Sequence, residues 1–416
     1  MANPKLRFKA ADGTEYPEWG STTLNKQGVF IRGLSYKKQN VVDDHTKTLV
    51  LRSSNILQFG KLDYLNKCQF VNKQPLPNQI LQKGDIVICM ANGSAHLVGK
   101  ASCYEGGYQT GNLTVGAFCS IYRQHTFPIA KYIFQTQSYL NFISENSQGG
   151  NGAISNIKPS TYEDFECSYP CLEEQRKIAD FLSTFDDKVE AKEQQLEALQ
   201  ETKKGLLQQI FSQQLRFKAD DGTEFPDWKQ YKLGNLGSFK KGKGLSKDQL
   251  SEEGTPCILY GQLYTDYSEV IKSVVSKTNA SLDNAVFSEG NEVLLPCSGE
   301  TSLDISRATF LPIKGVALGG DLHVITCNSN INGSLLSYII NSSLKKEIAR
   351  IAQGATVVHT SASSLSKILV NYPSSLEEQR KIAEFLGAFD EKIEAVKRQL
   401  EALKEIKKGL LQQMFV

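Results

Sequence analysis

Two stretches of the chain carry apolar residues at alternating intervals of three and four, which is the spacing of a coiled-coil heptad. They are residues 172–211 and 376–415. The apolar seam of the first stretch consists of Ile178, Leu182, Phe185, Val189, Leu196, Leu199, Leu206 and Ile210. The seam of the second stretch consists of Ile382, Leu386, Phe389, Ile393, Val396, Leu400, Leu403, Leu410 and Met414. This pattern predicts two long helices, each about 55–60 Å in length at roughly 1.5 Å per residue.

Charged residues interrupt this pattern in both stretches. Lys192 and Lys203 fall within the first seam and Lys407 within the second, so the sequence leaves open how tightly the helices pack around them. On the outer faces, four basic residues occupy matching places, Arg176, Lys177, Arg380 and Lys381. A charged helix face is usually just solvated, but a matched pair of such faces also suits the docking of a partner protein.

The helical stretch belongs to a longer internal repeat. Of the 40 positions in residues 172–211, 29 are identical in residues 376–415. A shorter motif, LRFKAADGTEYPEW at residues 6–19, recurs as LRFKADDGTEFPDW at residues 215–228, with 11 of 14 positions identical. The chain therefore contains twice a unit made of a short motif, a variable block and a helix.

The variable blocks, residues 20–171 and 229–375, share little more than the order of their landmarks. Each contains a β-like run after a glycine-containing turn, KGDIVICMANGS at residues 83–94 and GNEVLLPCSGE at residues 290–300. We interpret the blocks as two domains of one fold with diverged surfaces. The repeated parts are then scaffold, and the diverged parts carry the differences in specificity.

Chain order predicts how the helices are arranged. The first helix leads from the first variable domain to the second, and the motif at residues 6–19 implies that the second helix ends where the first domain begins. Helices that join the same two domains in opposite senses are antiparallel. We therefore predict an α+β protein in which two globular domains of one fold are separated by two long antiparallel helices, forming an intramolecular coiled coil with pseudo-two-fold symmetry. The expected boundaries are residues 1–171 (first domain with its motif), 172–211 (first helix), 212–375 (second domain with its motif) and 376–416 (second helix).

Composition is that of an ordinary globular protein. Of the 416 residues, 40% are hydrophobic and 22% are charged, and roughly 100–200 residues per domain leaves room for two or three domains. No apolar run approaches the ~18–20 residues of a membrane span, and the first residues lack the core of a signal peptide. We therefore expect a cytoplasmic protein with no membrane partner. The nine cysteines include no C-x-x-C pair and are expected to be reduced core residues.

The net charge of +2 is unevenly distributed. Residues 20–171 include 14 basic and 9 acidic side chains, a balance of +5, and residues 229–375 include 14 and 12, a balance of +2. Residues 172–211 include 6 basic and 9 acidic side chains, a balance of −3. Positive charge thus favours the variable domains, as contacts with phosphates require.

Residue types suited to nucleic acid cluster at a few places in the variable blocks. Arg and Lys suit guanine edges or phosphates, while Asn and Gln suit adenine edges. The candidate DNA-binding residues of the first block are Arg32, Lys37, Lys38, Arg52, Ser53, Asn55, Asn92 and Ser94. Those of the second block are Lys240, Lys241, Lys243, Tyr260, Gln262, Ser298, Glu300 and His359. The alternative interpretation is that these are solvated loop residues.

The sequence contains none of the catalytic signatures that we sought. It has no P-loop, no dinucleotide or S-adenosylmethionine-type glycine fingerprint, no Asn-Pro-Pro-Tyr and no H-E-x-x-H. Pro226-Asp227 begins like a nuclease motif, but it lies in the repeated segment, where its twin is Pro17-Glu18. We therefore assign no catalytic residue and no metal site, and predict a binding protein.

Two diverged domains that alternate with near-identical helices, beginning LEEQRKIA and ending KKGLLQQ, resemble the specificity subunit of type I restriction–modification systems. The resemblance covers essentially the whole chain. LRSSNILQFGKLD at residues 51–63 and GTPCILYGQLYT at residues 254–265 look like landmarks of that family's target-recognition domains.

The resemblance implies a division of labour. Each variable block would be a target-recognition domain for one half of a bipartite, asymmetric sequence in double-stranded DNA. The helices would set the gap between the half-sites and dock two modification subunits, which would carry S-adenosylmethionine and methylate adenine. Restriction subunits that use ATP and Mg²⁺ would cut unmodified DNA. This chain would bind no cofactor and catalyse nothing itself.

Two hypotheses of other classes remain open on the sequence alone. The chain could be a coiled-coil spacer that presents two protein-binding or glycan-binding domains, or a self-sufficient nuclease or methyltransferase. Affinity for duplex DNA that falls steeply with salt separates the predicted function from the first alternative. Activity of the purified chain alone would indicate the second.

Overall fold

The structure, a computed structural model, describes residues 4–57, 61–125, 129–147, 155–354 and 356–415. The chain divides into two compact units. Unit 1 comprises Met1–Glu193 and Arg398–Val416, and unit 2 comprises Gln194–Lys397. Each unit therefore contains one variable block together with parts of both long helices.

Unit 1 combines small sheets with helices. Its strands are β1 (Gly20–Thr23), β2 (Gly28–Arg32), β3 (Val41–Val42), β4 (Thr48–Leu51), β5 (Phe70–Val71), β6 (Ile86–Cys89), β7 (Ala91–Asn92), β8 (Ala101–Cys103), β9 (Leu113–Val115), β10 (Cys119–Gln124), β11 (Ser155–Asn156) and β12 (Glu166–Tyr169). Its helices are α1 (Leu24–Gln27), α2 (Ala130–Ile133), α3 (Gln137–Asn146), α4 (Pro159–Glu163) and the beginning of α5 (Leu172–Phe211). The larger sheets have the strand orders β2-β10-β6-β8 and β3-β5-β4-β9.

Unit 2 has a closely similar set of elements. Its strands are β13 (Lys229–Lys232), β14 (Gly237–Lys241), β15 (Leu250–Ser251), β16 (Thr255–Ile258), β17 (Ser276–Thr278), β18 (Val286–Glu289), β19 (Glu292–Pro296), β20 (Ser298–Gly299), β21 (Thr309–Leu311), β22 (Lys314–Leu318), β23 (Leu322–Cys327), β24 (Val358–His359) and β25 (Leu369–Tyr372). Its helices are α6 (Gln262–Thr265), α7 (Gly333–Ile339), α8 (Lys345–Ile351), α9 (Ala362–Leu365) and the beginning of α10 (Leu376–Met414).

The two units share one topology. The sheet β14-β23-β19-β21 of unit 2 repeats β2-β10-β6-β8, and β15-β17-β16-β22 repeats β3-β5-β4-β9 with β18 added at its edge. The β-like run that we expected after a glycine turn is β6 in unit 1 and β19 in unit 2, both wholly buried. Gly84 and Gly290 precede these strands with φ of 94° and 92°, a conformation that favours glycine. The α+β class and the presence of two domains of one fold are confirmed.

The two long helices also agree with the prediction, and within each unit they run antiparallel. In unit 1, Glu193 of α5 lies 3.3 Å from Lys404 of α10, and Asp186 lies 2.6 Å from Lys407, so numbers fall along one helix as they rise along the other. In unit 2, an ion pair joins Lys203 to Asp390, and Ile210 shares an apolar cluster with residues Ile382 and Leu386.

The predicted apolar seam is removed from solvent along both helices. The buried members are Ile178, Leu182, Val189, Ile210, Ile382, Leu386, Ile393, Val396, Leu400 and Met414. The remaining members, Phe185, Leu196, Leu199, Leu206, Phe389, Leu403 and Leu410, are half-buried. Towards the end of α10, Leu411 is buried more deeply than Leu410. A helix with 3.6 residues per turn drifts relative to a seven-residue repeat, so the buried face shifts by one position.

The repeated motif packs against the start of a long helix in each unit. In unit 1, Arg7 binds the buried carboxylate of Glu174 through hydrogen bonds of 3.1 and 2.7 Å, and the indole of Trp19 donates to it at 3.1 Å. In unit 2, Arg216 and Trp228 donate to Glu378 at 3.2 and 3.0 Å. In each unit, therefore, an Arg and a Trp of the motif bind a Glu at the start of a long helix. This shared contact explains why the motif and the helix start are repeated together.

The expected meeting of the second helix with the start of the first domain is present in unit 1. The amide of Leu6 donates to the carbonyl of Gln413 at 3.0 Å, and the rings of Trp19 and Phe415 lie 5.9 Å apart in an edge-to-face arrangement. In unit 2 the amide of Leu215 makes the corresponding bond at 3.0 Å to Gln209, at the end of α5.

Candidate nucleic-acid interface

Three segments of unit 1 converge on the turn at residues 115–119, which joins β9 to β10. Their junctions are backbone hydrogen bonds from Leu34 N to Val115 O at 2.7 Å, from Gly116 N to Leu51 O at 2.8 Å, and from Met90 N to Phe118 O at 2.8 Å. These bonds hold the ends of β2, β4 and β6 beside one another. Most candidate residues of the first block follow directly after those ends.

Four polar candidates surround this turn and form what we call the unit 1 surface: Arg52, Ser53, Asn92 and Ser94. The amide nitrogen Nδ2 of Asn92 donates to Ser53 Oγ at 2.7 Å, while its Oδ1 accepts from the backbone of Ser94 at 2.9 Å. Arg52 is exposed, and its guanidinium donates to the carbonyl of Lys67 at 3.1 Å. The structure thus brings together candidates from two segments that are separate in the sequence.

The other basic candidates of the first block continue from the same turn. Arg32 is exposed at the end of β2, and the next residue, Gly33, donates its amide to the carbonyl of Cys119 at 3.2 Å. Lys37 and Lys38 are exposed a few residues further along. Together they extend the positive charge of the unit 1 surface along one segment of chain.

Unit 2 repeats this construction at residues 318–322, the turn that joins β22 to β23. Its junctions are hydrogen bonds from Lys243 N to Leu318 O at 3.0 Å, from Gly319 N to Ile258 O at 2.9 Å, and from Cys297 N to Asp321 O at 2.7 Å. Because the same three bonds occur in both units, the positions correspond in pairs. Phe118 of unit 1 corresponds to Asp321 of unit 2, and Ser53 corresponds to Tyr260.

The lysine cluster of unit 2 lies next to this turn. Lys240, Lys241 and Lys243 are all exposed. The ammonium of Lys241 lies 3.3 Å from Asp321, and that of Lys240 lies 3.5 Å from Glu289. Exposed ion pairs of this kind contribute little stability, so these ammonium groups can exchange a carboxylate for a phosphate at small cost.

A cleft of about 390 Å³ opens beside the same turn. It is lined by Phe239, Lys240, Lys241, Cys297, Asp321, His323, His359, Thr360, Ser361 and Ala362. His323 is buried, with Nε2 3.1 Å from the carbonyl of Thr360, and burial lowers its pKa below the usual range. His359 is exposed and faces Ser298 across the β20–β24 pair. We call Lys240, Lys241, Lys243, Tyr260 and His359 the unit 2 surface.

Asn55 and Gln262 do not occupy the exposed positions expected of base contacts. The Oδ1 of Asn55 accepts from the backbone of Arg52 at 3.0 Å, and its Nδ2 donates to the carbonyl of Asp63 at 2.8 Å. The corresponding atoms of Gln262 bond to the backbone of Leu259 at 2.9 Å and to Ser276 Oγ at 2.7 Å. Both side chains are buried, so they shape the loops that follow β4 and β16.

The remaining candidates of unit 2 differ in exposure. Ser298 is buried, and its carbonyl accepts a hydrogen bond from the hydroxyl of Tyr264 at 2.6 Å. Tyr260 is exposed, with its ring 6.4 Å from that of Tyr264. Glu300 is exposed just beyond β20. Ser298 therefore supports the loop, while Tyr260 and Glu300 face outward.

The four basic residues proposed for partner docking divide into two pairs. Lys177 donates to the carbonyl of Lys9 at 2.7 Å, and Lys381 donates to that of Lys218 at 2.9 Å, so both hold the repeated motif in place. Arg176 and Arg380 are exposed at matching positions of α5 and α10. Within this set, the two guanidinium groups are therefore the exposed members.

Two residues at the centre of the surfaces, Phe118 and Asp321, are not among the candidates that residue type predicted. The signal that could have found them is weak: V-G-A-F-C at residues 115–119 and L-G-G-D-L at residues 318–322 share only one glycine position. Within the described ranges, no group of three or more His, Cys, Asp or Glu side chains is placed to hold a metal ion. In the same part of the chain, no helix has the length and apolar character of a membrane span.

This chain is similar to known proteins of one family. The family model for the type I restriction modification DNA specificity domain matches residues 5–201 and 226–405. The StySPI type I restriction enzyme specificity subunit of Salmonella potsdam is 25% identical over 95% of this chain and 88% of its own length. The MjaVIII specificity subunit of Methanocaldococcus jannaschii is 24% identical over 67% of this chain and 68% of its own.

A solved structure agrees with the fold. The crystal structure of the S subunit of a type I restriction–modification system from M. genitalium has a TM-score of 0.61 and is 17% identical, covering 100% of this chain and 99% of that one. At this level of identity, the likeness supports the fold and not the choice of target.

Proposed function

Because this chain belongs to the family of type I restriction–modification DNA specificity proteins, we propose that each of its variable blocks recognises one half of a bipartite, asymmetric target in double-stranded DNA. As a specificity subunit, the chain is itself non-catalytic. The observation that carries the proposal is the pair of turns at residues 115–119 and 318–322. The same three backbone hydrogen bonds hold both turns, and the turns present different side chains in the two units, as the recognition of two unlike half-sites requires.

Charge and residue type support DNA as the ligand of these surfaces. Arg52 and Asn92 of unit 1 combine a guanidinium with an amide, the groups that pair with guanine and adenine edges. Lys240, Lys241 and Lys243 of unit 2 are exposed ammonium groups suited to phosphates. The unit 1 surface would therefore contribute mainly base contacts, and the lysines of unit 2 mainly affinity and orientation.

The helices are the proposed site of the modification subunits. Arg176 and Arg380 lie at the same position of two nearly identical helices, so two copies of one partner would meet equivalent surfaces. The helices would also fix the gap between the half-sites. S-adenosylmethionine would be bound by the modification subunits, and ATP and Mg²⁺ by restriction subunits that join them. DNA as the ligand makes the cytoplasm the expected location.

Salt dependence of DNA binding tests the proposal. The chain is co-expressed with the modification subunit of its own system, and affinity for duplexes containing its methylated target is measured at several salt concentrations. We expect the logarithm of affinity to fall by about 0.9 per phosphate contact for each log unit of salt. The target itself is found by mapping methylated adenines in the host genome with and without the gene. No duplex binding, or binding unaffected by salt, would reject the proposal.

A further inference from the structure

Phe118 is an exposed apolar residue next to the polar groups of the unit 1 surface. It is a large aromatic residue with 63% of its surface exposed, and it sits at the tip of the turn on which the unit 1 surface is built. Its carbonyl accepts from the amides of Met90 at 2.8 Å and of Ala91 at 3.2 Å. The backbone under the exposed ring is therefore fixed, and it is bonded to Ala91, the residue that precedes Asn92.

A single exposed apolar side chain needs no explanation by itself. The exposure of Phe118 gains meaning from the difference between the two units at this position. At the positions that correspond, unit 1 has Ser53 and Phe118, whereas unit 2 has Tyr260 and Asp321. An exposed aromatic side chain thus accompanies the polar groups in each unit, Phe118 in unit 1 and Tyr260 in unit 2, and the two come from different loops.

Base chemistry decides what an exposed ring can contact at such a place. In the major groove, thymine alone among the four bases presents a methyl group, and apolar side chains contact it. The hydrogen-bonding groups of Arg52, Ser53 and Asn92 around the ring suit the neighbouring polar base edges. Asp321, at the corresponding position in unit 2, is a carboxylate, which accepts from the amino group of cytosine.

We propose, on the basis of the proposed function above, that Phe118 is a specificity-determining residue that contacts the C5 methyl group of a thymine in the half-site recognised by unit 1. The turn at residues 115–119 presents the ring, and Asn92 and Ser53 recognise polar edges next to it. The divergence between Phe118 and Asp321, whose backbone φ is 57°, then gives the two units different base preferences on turns held by the same three hydrogen bonds.

The test uses the complex of the full chain with its modification subunit. Once the methylated target is known, synthetic duplexes are made in which each thymine of the target is replaced in turn by deoxyuridine, which lacks only the methyl group. The variants are Phe118→Ala, Phe118→Leu and, as a matched control, Leu140→Ala. Leu140 is an exposed apolar residue on α3 of the same unit, outside the unit 1 surface.

For the unchanged protein, replacement of one thymine in one half-site is expected to weaken binding by roughly 5- to 100-fold. Phe118→Ala weakens binding to the normal duplex by a similar factor and no longer distinguishes thymine from uracil at that position. Phe118→Leu keeps much of the distinction, and Leu140→Ala behaves as the unchanged protein.

Three results would overturn this inference while the proposed function stands. They are no loss of affinity of the unchanged protein when any thymine in the half-site of unit 1 is replaced, an equal response of the unchanged protein and Phe118→Ala to every uracil, and a loss of affinity in Phe118→Ala with the thymine preference kept. The last result would indicate that the Phe118 ring stacks between bases and does not contact a thymine methyl group. Failure of the unchanged complex to bind its duplex would instead reject the proposed function and the inference with it.

Discussion

The ammonium group of Lys407 lies 2.6 Å from a carboxylate oxygen of Asp186, which belongs to the opposite helix within unit 1. The other oxygen of that carboxylate accepts a hydrogen bond from the hydroxyl of Tyr132 at 3.0 Å. Unit 2 repeats the arrangement with the corresponding residues Lys203, Asp390 and Tyr338. These lysines interrupt the apolar seam, but each is paired with a specific carboxylate. Because the pairs form in one register only, they favour the antiparallel alignment seen in each unit.

Removal of one partner from this ion pair should destabilise the protein. Lys407→Met removes the nearer of the two cations beside the Asp186 carboxylate, and Lys131 remains at 3.5 Å. Since that carboxylate is also partly exposed, we expect a cost of about 1–3 kcal/mol. The free energy of unfolding is measured by urea titration. Lys408→Met, at the exposed neighbouring position, is the control and should change it by less than about 0.5 kcal/mol. Equal effects of the two substitutions would contradict a specific pair.

Loss of the Glu174 carboxylate should release the repeated motif from unit 1. Glu174 is fully buried and binds Arg7 and Trp19, so Glu174→Ala leaves a guanidinium and an indole without their acceptor. We expect about 3–5 kcal/mol of destabilisation and earlier proteolytic cleavage before Trp19. Limited proteolysis with mass spectrometry follows the cleavage site. Glu173→Ala, at an exposed position in the same helical turn, should leave the pattern unchanged.

Stability should decrease as the solution becomes acidic, in part because of His323. Burial lowers the pKa of His323, and the charge of Lys241 lowers it slightly further, while the hydrogen bond with the Thr360 carbonyl and the charge of Asp321 partly oppose the shift. Between the lowered value and the ordinary 6.5, the unfolded chain therefore binds more protons than the folded one, and stability falls as pH falls through 6.5. Urea midpoints at about pH 7.5 and about pH 5.5 measure the loss. His323→Gln should make that loss smaller, and an unchanged loss would contradict the assignment.

Lys240 should contribute to DNA affinity without contributing to sequence preference. If its ammonium contacts a phosphate, Lys240→Ala weakens binding to all duplexes and reduces the salt slope by about 0.9. Lys314 is an exposed lysine at the start of β22, the end of that strand away from the turn at residues 318–322, and Lys314→Ala is the matched control. The affinity of both variants for target and non-target duplexes is measured at several salt concentrations. A change in sequence preference without a change in slope would instead assign a base contact to Lys240.

Much of the fold could be predicted because the chain repeats itself. The heptad seam and the repeat together gave α5 as residues 172–211, which is the range observed, and chain order gave its antiparallel pairing. The packing around the seam lysines could not be predicted, since Tyr132 and Tyr338 come from distant parts of the variable blocks. Local pattern contains no information about such long-range partners.

The exposure of the candidate site residues was predicted less well, for a related reason. Residue type nominated Asn55 and Gln262 as base contacts, yet both side chains are buried and form hydrogen bonds within their own loops. An amide at a loop start either caps the turn or faces solvent, and only the fold decides which. Phe118 escaped notice because an apolar residue in an apolar stretch looks like core until its exposure is known.

Exchange of one variable block tests the central claim most directly. Residues 20–171 are replaced by the corresponding block of a relative with a different target, the hybrid is expressed with its modification subunit, and methylated adenines are mapped across the genome. Separate recognition of two half-sites predicts a new target in which one half and its methylated adenine change, while the other half and the gap stay as they were. A target that changes in both halves, or in neither, would contradict the assignment of one half-site to each block.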